Sequence, residues 1–337
     1  MFCKIFKMKH YEFFKDVFPD YSKETTFLLG NGINNYCKTS SSWKNLLIEL
    51  AKEHIGKVSD YSAILDESSV SYTEFFDIIQ LNSDIKNPTF NYKDIKKGFK
   101  EGFSKWKPQA IHFEWIESIK TLNRPILTTN YDFLLELSDN KIVDFVKSSQ
   151  YNKKYFRPKR TVLGRKGFTP YYPWHNYYSN RVIKDAKNEF AIWHIHGFTE
   201  YYSSIRLGLA DYMGIVTKAK TWLHRASGNP FYQREKIDKW VGKNSWIDIF
   251  MHTNLMFIGI DLGVQETSLR WLLIEREKLY RKHPELRKKA WYVLNKSHDK
   301  KLLGKALFFE KLNVEIIEAN DYKQIYEVTP KRIKSAH

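Results

Sequence analysis

Residues 26–34 read T-F-L-L-G-N-G-I-N, a short apolar run that stops at two closely spaced glycines. A run of this kind indicates a buried strand, and the G-N-G after it indicates a tight loop. Glycines let backbone N–H groups come close to a pyrophosphate, whose negative charge a following helix favours. The full dinucleotide fingerprint G-x-G-x-x-G is absent, because position 35 is asparagine. The stretch therefore predicts either a simple turn or a phosphate-binding loop.

Five further apolar runs along the chain have the same form. Short, near-continuous apolar runs are typical of strands covered on both faces, and helical patterns separate them here. Strands that alternate with helices predict an α/β fold with a Rossmann-like, doubly wound parallel sheet. The predicted strands are 26–30, 125–130, 190–196, 254–260, 290–295 and 314–318. The clearest helical stripes cover 43–54, which Gly56 closes, 269–280 and 302–309.

The uneven spacing of the predicted strands indicates large insertions. About 95 residues separate the first predicted strand from the second, far more than one crossover needs. Residues 57–120 carry aromatic-rich helical patterns and predict a helical insertion. Residues 141–189 predict a second insertion, which is basic and aromatic. We therefore expect residues 1–337 to form a single domain with two embellishments.

Composition limits the class of protein and its location. The 337-residue chain has no apolar run near the roughly 20 residues of a membrane helix, and no signal peptide is apparent. Its two cysteines, Cys3 and Cys37, are too few for a disulfide framework or a four-cysteine zinc ribbon. We therefore expect a cytoplasmic protein with no membrane segment and no metal. The formal charge of +17 suggests an anionic partner, although a lysine-rich composition alone also explains it.

Polar or glycine-rich residues follow four of the predicted strands. They read G-N-G-I-N at 30–34, T-T-N-Y-D at 128–132, H-I-H-G at 194–197 and G-I-D-L-G at 259–263. Ligands of open parallel sheets lie outside the carboxyl ends of the strands, where these segments would meet. Each motif alone has an ordinary structural explanation. Asparagine and aspartate also form turns and helix caps, and a histidine in a strand is often a core residue.

The ordered set of four motifs resembles the sirtuin-like family, and most closely its bacterial branch in phage-defence systems. That family carries G-A-G-I-S, T-Q-N-x-D, H-G and G-T-S, and the resemblance spans about residues 25–320. It implies that NAD is the substrate. Two departures stand out: Asn31 replaces a small alanine, and Asp261 replaces a serine, where a carboxylate could accept hydrogen bonds from ribose hydroxyls. The zinc ribbon of the protein deacylases is absent, because the cysteines for it do not exist.

The resemblance also implies roles for individual residues. Asn130 would hold the ribose, His196 would act as general base toward a ribose hydroxyl or water, and Asp132 would orient the carboxamide or the nearby loop. His194 lies two residues deeper in the strand, and we expect it to be structural. Without an acyl-lysine pocket, water becomes the acceptor, which implies NAD hydrolysis, with cyclisation as a side possibility. The residues expected to bind NAD are Gly30, Asn31, Gly32, Asn34, Thr129, Tyr131, Gly259, Asp261 and Leu262.

The second predicted insertion concerns how the activity would be controlled and which partners the protein would bind. Residues 147–187 hold eleven lysines or arginines and one acid, Asp185, interleaved with aromatics. Such a segment fits a solvated loop packed on the domain, a protein contact or a single-stranded nucleic-acid groove. An NAD hydrolase that depletes the cell's NAD in abortive infection needs restraint. The resemblance implies a homo-oligomer or an activating protein, such as a HerA-type ATPase, an Argonaute-like protein or a phage component. Two alternatives stay open: a non-enzymatic subunit that binds NAD or ADP-ribose, and a nucleic-acid-binding subunit.

Overall fold

A computed structural model shows an α/β fold built on one seven-stranded, all-parallel sheet. The structure describes residues 7–37, 43–56, 60–66, 70–86, 95–96, 103, 106–140, 174–199, 204–224, 231, 237, 239–297 and 302–336. The strands are β1 (Lys7–Lys9), β2 (Thr25–Leu29), β3 (Ile126–Thr128), β4 (Ile192–His194), β5 (Asn254–Ile258), β6 (Ala290–Asn295) and β7 (Val314–Ala319). All six predicted strands are therefore confirmed, although several are shorter than predicted. Strand β1 was not predicted, because its three residues, K-M-K, form no apolar run.

Helices cover both faces of the sheet. The α-helices of the described residues are His10–Glu12, Phe18–Tyr21, Gly32–Tyr36, Trp43–His54, Tyr61–Asp66, Tyr72–Lys86, Ala110–Thr121, Leu134–Leu137, Leu209–Leu223, Trp246–His252, Thr267–Lys282, Leu302–Lys311 and Thr329–Ser335. Two π-helical segments, Phe13–Val17 and Gln324–Val328, and two 3₁₀ turns, Ser22–Glu24 and Pro284–Leu286, complete the set. The three predicted helical stripes are confirmed. Gly56 follows the Trp43–His54 helix with φ +106°, the left-handed conformation that closes helices.

Alternation along the strands produces two separate cores. In β2, Leu28 packs into one hydrophobic cluster, whereas Phe27 and Leu29 pack into the cluster on the opposite face. In β5, Phe257 and Met256 divide between the same two clusters. Because successive side chains of a strand point to opposite faces, both faces of the sheet are buried, as in a doubly wound fold.

The strand order places a topological switch point between β2 and β5. The order across the sheet is β1-β7-β6-β5-β2-β3-β4. The chain moves outward from β2 through β3 to β4, then returns to the other side of β2 and moves outward through β5, β6 and β7. The carboxyl ends of the two central strands therefore border a crevice, where open α/β sheets bind ligands.

The helical insertion has a core of its own. The helices Trp43–His54, Tyr61–Asp66 and Tyr72–Lys86 contribute to a third hydrophobic cluster. The helix Ala110–Thr121 begins inside the predicted insertion 57–120, but its Trp115 belongs to a core cluster of the sheet. The helices with a separate core thus begin earlier than predicted and end before residue 110.

Most of the basic insertion lies outside the described residues. Residues 141–173, with Lys153, Lys154, Arg157, Lys159 and Arg160, belong to that part. The described remainder packs on the domain: Trp174 stacks on Trp246 at 5.5 Å between ring centroids, and Tyr178 forms an antiparallel bridge with Ile192. Within the described ranges, no helix has the length and apolar character to cross a membrane.

Candidate functional site

The loops that follow β2 and β5 pack directly on each other at the switch point. The backbone N–H of Gly30 donates to the carbonyl of Ile258, and that of Gly32 to the carbonyl of Gly259, both at 3.0 Å. A Cβ at Gly32 would lie 2.6 Å from the Gly259 Cα and 2.2 Å from the Tyr326 hydroxyl. The two glycines of G-N-G are therefore required by loop packing. Their N–H groups are used within the protein, which differs from the expectation that they approach a pyrophosphate.

Two adjoining cavities open at this edge of the sheet. The smaller, of about 290 Å³, is the Asn130 cavity, and the larger, of about 590 Å³, is the tyrosine cavity. The Asn130 cavity is lined among others by Thr129, Asn130, Tyr131, Asp132, His196 and Glu266. The tyrosine cavity is lined among others by Tyr36, Tyr292, Asn295, Lys305, Tyr322 and Tyr326. Gly32, Asn35, Gly259, Ile260 and Asp261 border both. An elongated ligand could therefore extend from one cavity into the other across the switch point.

Asn130 has a fixed backbone and an unused side chain. Its N–H donates to the Thr128 hydroxyl at 3.1 Å, and its carbonyl accepts from Nδ1 of His194 at 2.8 Å. Both polar atoms of its amide are buried and have no hydrogen-bond partner among the described residues. An unpaired buried polar group costs about 1–3 kcal/mol, so such a group calls for an explanation. A ligand that both accepts and donates a hydrogen bond would satisfy this amide.

His194 forms a buried ion pair behind Asn130. Its Nε2 lies 2.7 Å from Oε1 of Glu136, and both side chains are almost fully buried. Burial has the largest single effect and lowers the pKa of His194, but the charge and hydrogen bond of Glu136, the Asn130 carbonyl and the charge of Asp132 together raise the pKa above its usual 6.5. Both ring nitrogens face acceptors, which suits the protonated ring. The structure therefore places His194 under Asn130, as a support for its backbone.

His196 points an unused ring nitrogen into the Asn130 cavity. Its Nε2 is buried without a hydrogen-bond partner in the described part of the chain, and its Nδ1 lies 3.4 Å from the Tyr212 hydroxyl. Burial lowers the pKa of His196 to about 3, so the ring is neutral at physiological pH. The next residue, Gly197, has φ +88°, and a Cβ there would lie 2.2 Å from the Ser204 carbonyl oxygen. Glycine is therefore required after this histidine by the turn itself.

Asp132 is the end of a buried chain of hydrogen bonds. His112 Nδ1 accepts from the Gln109 N–H, so Nε2 carries the proton and donates to Oδ1 of Asn34 at 3.0 Å. Asn34 Nδ2 in turn donates to Oδ2 of Asp132 at 2.8 Å, and Oδ1 of Asp132 accepts from the Leu134 N–H. Burial raises the pKa of Asp132 to about 6. Asp132 thus borders the cavity while both of its oxygens bind protein groups.

Glu266 is a group that sequence reasoning missed. It precedes the helix Thr267–Lys282, yet its side chain makes no capping hydrogen bond. It lines the Asn130 cavity, and its Oε2 is buried with no partner among the residues described. Burial raises the pKa of Glu266 to about 7, and the charge of Asp261 adds to the rise. Acids are common at the start of a helix because they interact favourably with the helix dipole, so the sequence carried no signal that Glu266 lines a cavity.

The helical insertion supplies an aromatic wall that was also not predicted. Trp43 packs 5.8 Å from the Tyr131 ring, and both residues line the Asn130 cavity. The Tyr131 hydroxyl donates to the Arg206 carbonyl at 2.6 Å, which fixes the ring. Gln265 accepts from the N–H of Tyr72 at 2.8 Å and so ties the insertion to the loop after β5. The insertion therefore closes one side of the site.

The predicted site residues divide into two groups. Asp261 borders both cavities and forms an ion pair with Lys305, although its carboxylate is largely exposed. Leu262 is instead fully buried in the core at φ +47°. The predicted residues that line the Asn130 cavity are Asn31, Gly32, Thr129, Asn130, Tyr131, Asp132, His196, Gly259 and Asp261. Gly30, Asn34 and Leu262 lie behind this lining and support it through backbone, network and core contacts.

Comparison of the chain with models of known protein families gives no match, and comparison with curated proteins gives none either. The resemblance to the sirtuin-like family therefore rests on the four motifs alone. Among the described residues, no group of three or more histidine, cysteine or acidic side chains could hold a metal ion. The buried Asn130 amide and the Nε2 of His196, which have no partner among the described residues, could bind hydroxyl or amide groups of an organic ligand.

Proposed function

We propose that this protein hydrolyses NAD⁺ to ADP-ribose and nicotinamide and acts as an effector of antiviral abortive infection through NAD depletion. The observation that carries the proposal is the pair of buried groups on Asn130 and His196 that have no hydrogen-bond partner among the described residues and lie at one cavity at the switch point of the sheet. The order of the motifs along the chain supports the same ligand. The defence role rests on the family resemblance.

The two cavities suit the two halves of NAD. The Asn130 cavity offers an aromatic wall for the nicotinamide ring and an amide that can bind ribose hydroxyls. The tyrosine cavity offers Tyr322 and Tyr326, whose rings lie 6.2 Å apart at 21°, for stacking with adenine. Asp261, which borders both cavities, would accept a hydrogen bond from a ribose hydroxyl. The pyrophosphate would then cross the loops after β2 and β5.

Cleavage of the nicotinamide–ribose bond needs positioning more than covalent help. Nicotinamide leaves as a neutral molecule while positive charge develops on the ribose. Asn130 would hold the ribose, and the neutral Nε2 of His196 would accept a hydrogen bond from one of its hydroxyls. Asp132 would act on the ligand through the lining it supports, since both of its oxygens already bind protein groups.

The test is nicotinamide release by the purified protein. We expect Asn130→Ala and His196→Ala each to abolish release while the protein stays folded, as circular dichroism would show. His283→Ala serves as control, because His283 is a partly exposed histidine at the end of a helix. Near-normal release by either site variant would contradict its catalytic role.

A second candidate function is binding of NAD or ADP-ribose without turnover. The observation in its favour is the low basicity of His196, whose pKa burial lowers to about 3. Calorimetric titration with ADP-ribose, beside the release assay, separates the two functions. Tight ADP-ribose binding together with no nicotinamide release, at high protein concentration and with candidate partners, would favour the binding subunit.

Control of the activity is proposed to come from self-assembly or from an activating protein. The basic insertion joins the strand before Asn130 to the strand before His196, so a partner that contacts it could act on the site. Reversal of the charges of Lys153, Lys154, Arg157, Lys159 and Arg160 should then abolish assembly-dependent or partner-dependent activity. Tight DNA binding that survives physiological salt would instead favour a nucleic-acid function, since phosphate contacts weaken steeply with salt.

A further inference from the structure

The Asn130 cavity holds an acid whose geometry has no structural explanation. Glu266 sits at the position where a carboxylate ordinarily caps a helix, but it makes no capping bond to the helix Thr267–Lys282. Its Oε2 is enclosed and without a hydrogen-bond partner in the part of the chain that the structure describes. A protein that leaves such a group unpaired loses stability, so the group points to a ligand or a reaction.

The same cavity already contains groups that can bind the substrate but lacks a strong base among them. The Asn130 amide has no basicity. His196 is a poor proton acceptor, because burial lowers its pKa to about 3. The Asp132 oxygens accept from Asn34 and from the Leu134 N–H. Glu266 has an oxygen without a partner in the described part of the chain, and burial raises the pKa of this acid to about 7, which suits a general base at neutral pH.

We propose that Glu266 is the general base that activates water in the reaction, an inference that rests on the proposed NAD hydrolysis. The carboxylate takes one proton from a water molecule as the water oxygen forms a bond to C1′ of the ribose. The bond between C1′ and the nicotinamide nitrogen breaks, and its electron pair converts the pyridinium into neutral nicotinamide. The proton then passes from Glu266 to solvent. His196 keeps the other role that the sequence left open, contact with a ribose hydroxyl.

The test uses two variants of the full chain and a nucleophile that has no proton to lose. Glu266→Gln keeps the shape of the side chain, and we expect nicotinamide release to fall about 100-fold or more, while ADP-ribose affinity changes less than about threefold. Glu266→Ala leaves room for azide, which attacks C1′ without a base. Azide should therefore restore nicotinamide release by Glu266→Ala and yield ADP-ribosyl azide, detectable by mass spectrometry. Glu285→Gln, an exposed acid beyond the end of the same helix, is the matched control.

The outcomes separate this inference from the proposed function. Wild-type protein that binds ADP-ribose but never releases nicotinamide overturns both. Active wild-type protein with an equally active Glu266→Gln variant overturns only the role of Glu266. A loss that azide does not restore, accompanied by lost ADP-ribose binding, also overturns that role and makes Glu266 a residue of the lining. Loss of nicotinamide release by Glu266→Gln, with ADP-ribose binding retained and with azide rescue of Glu266→Ala, supports the role of Glu266 as general base.

Discussion

Removal of the His194 imidazole should destabilise the protein strongly, because it isolates a buried carboxylate. The ring binds the Asn130 carbonyl at 2.8 Å and the Glu136 carboxylate at 2.7 Å, and it stacks on Phe133 at 5.8 Å. In His194→Ala, Oε1 of Glu136 loses this partner, and Oε2 has none among the described residues in the wild type. The free energy of unfolding should fall by about 3–5 kcal/mol, the usual cost of removing one partner of a buried ion pair.

The stability lost in His194→Ala should depend on pH in a defined direction. The folded-state pKa of His194 lies above the usual 6.5, because the interactions with Glu136, the Asn130 carbonyl and Asp132 together outweigh the effect of burial. A histidine with a raised pKa stabilises the folded state fully below pH 6.5, and this contribution is lost as the pH rises through the folded-state pKa. The difference between wild type and His194→Ala should therefore be largest near pH 6 and smaller in alkaline solution.

Urea unfolding followed by circular dichroism measures both quantities. The matched control is the double variant His194→Leu, Glu136→Leu, which removes both charges and keeps apolar volume. It should be more stable than His194→Ala, since paired burial of charge is costly. A His194→Ala protein within about 1 kcal/mol of wild type at pH 6 would refute the ion-pair argument. A fully stable variant that releases no nicotinamide would show that the wrong histidine was assigned to catalysis.

Three further predictions concern the loops, the network and metal. Asp132→Asn should lower the free energy of unfolding by about 1–3 kcal/mol in urea, because its new amide N–H group would face the Asn34 amide; stability equal to wild type would contradict the assigned hydrogen-bond directions. Gly32→Ala should cost about 1–3 kcal/mol through contact with the Tyr326 hydroxyl, whereas Gly304→Ala, in open space on a helix, should gain up to about 1 kcal/mol. Dialysis against a chelator should leave the thermal midpoint unchanged, and stoichiometric zinc by elemental analysis would contradict the argument from two cysteines.

The positions of the main strands could be predicted because burial on both faces leaves a strong trace in the sequence. A parallel strand between two helical layers is almost continuously apolar, and β5, N-L-M-F-I, is fully buried along its length. Strand β1 left no such trace, since an edge strand needs only a few residues and these include two lysines. The proximity of Asn130 and His196 could also be predicted, because the carboxyl ends of parallel strands lie at one edge of a sheet and β3 and β4 are neighbours.

The roles within the motifs could not be predicted from residue types. Asn34 and Asp132 lie 98 positions apart, and their mutual hydrogen bond depends on His112 from a third segment. Leu262 faces the core because its backbone adopts φ +47°, a conformation that sequence patterns do not reveal for a leucine. Glu266 lies at the start of the helix Thr267–Lys282, where an acid is common near the positive end of the helix dipole, so its residue type did not distinguish it. In each case tertiary packing sets the direction of the side chain. The motif predicts only that the residue lies near the end of a strand.

The contacts of the helical insertion connect it directly to the candidate site. Gln265 and Glu266 are adjacent: the first accepts the Tyr72 N–H from the insertion, and the second lines the Asn130 cavity. Trp43 of the insertion packs on Tyr131, whose neighbours in the chain are Asn130 and Asp132. A shift of the insertion would therefore act at once on the loop that carries the proposed base and on the segment proposed to hold the ribose. If the proposed hydrolysis is correct, the insertion wall would exclude bulk water from the Asn130 cavity and hold the substrate in place, so displacement of the insertion by a partner or a second copy should lower nicotinamide release.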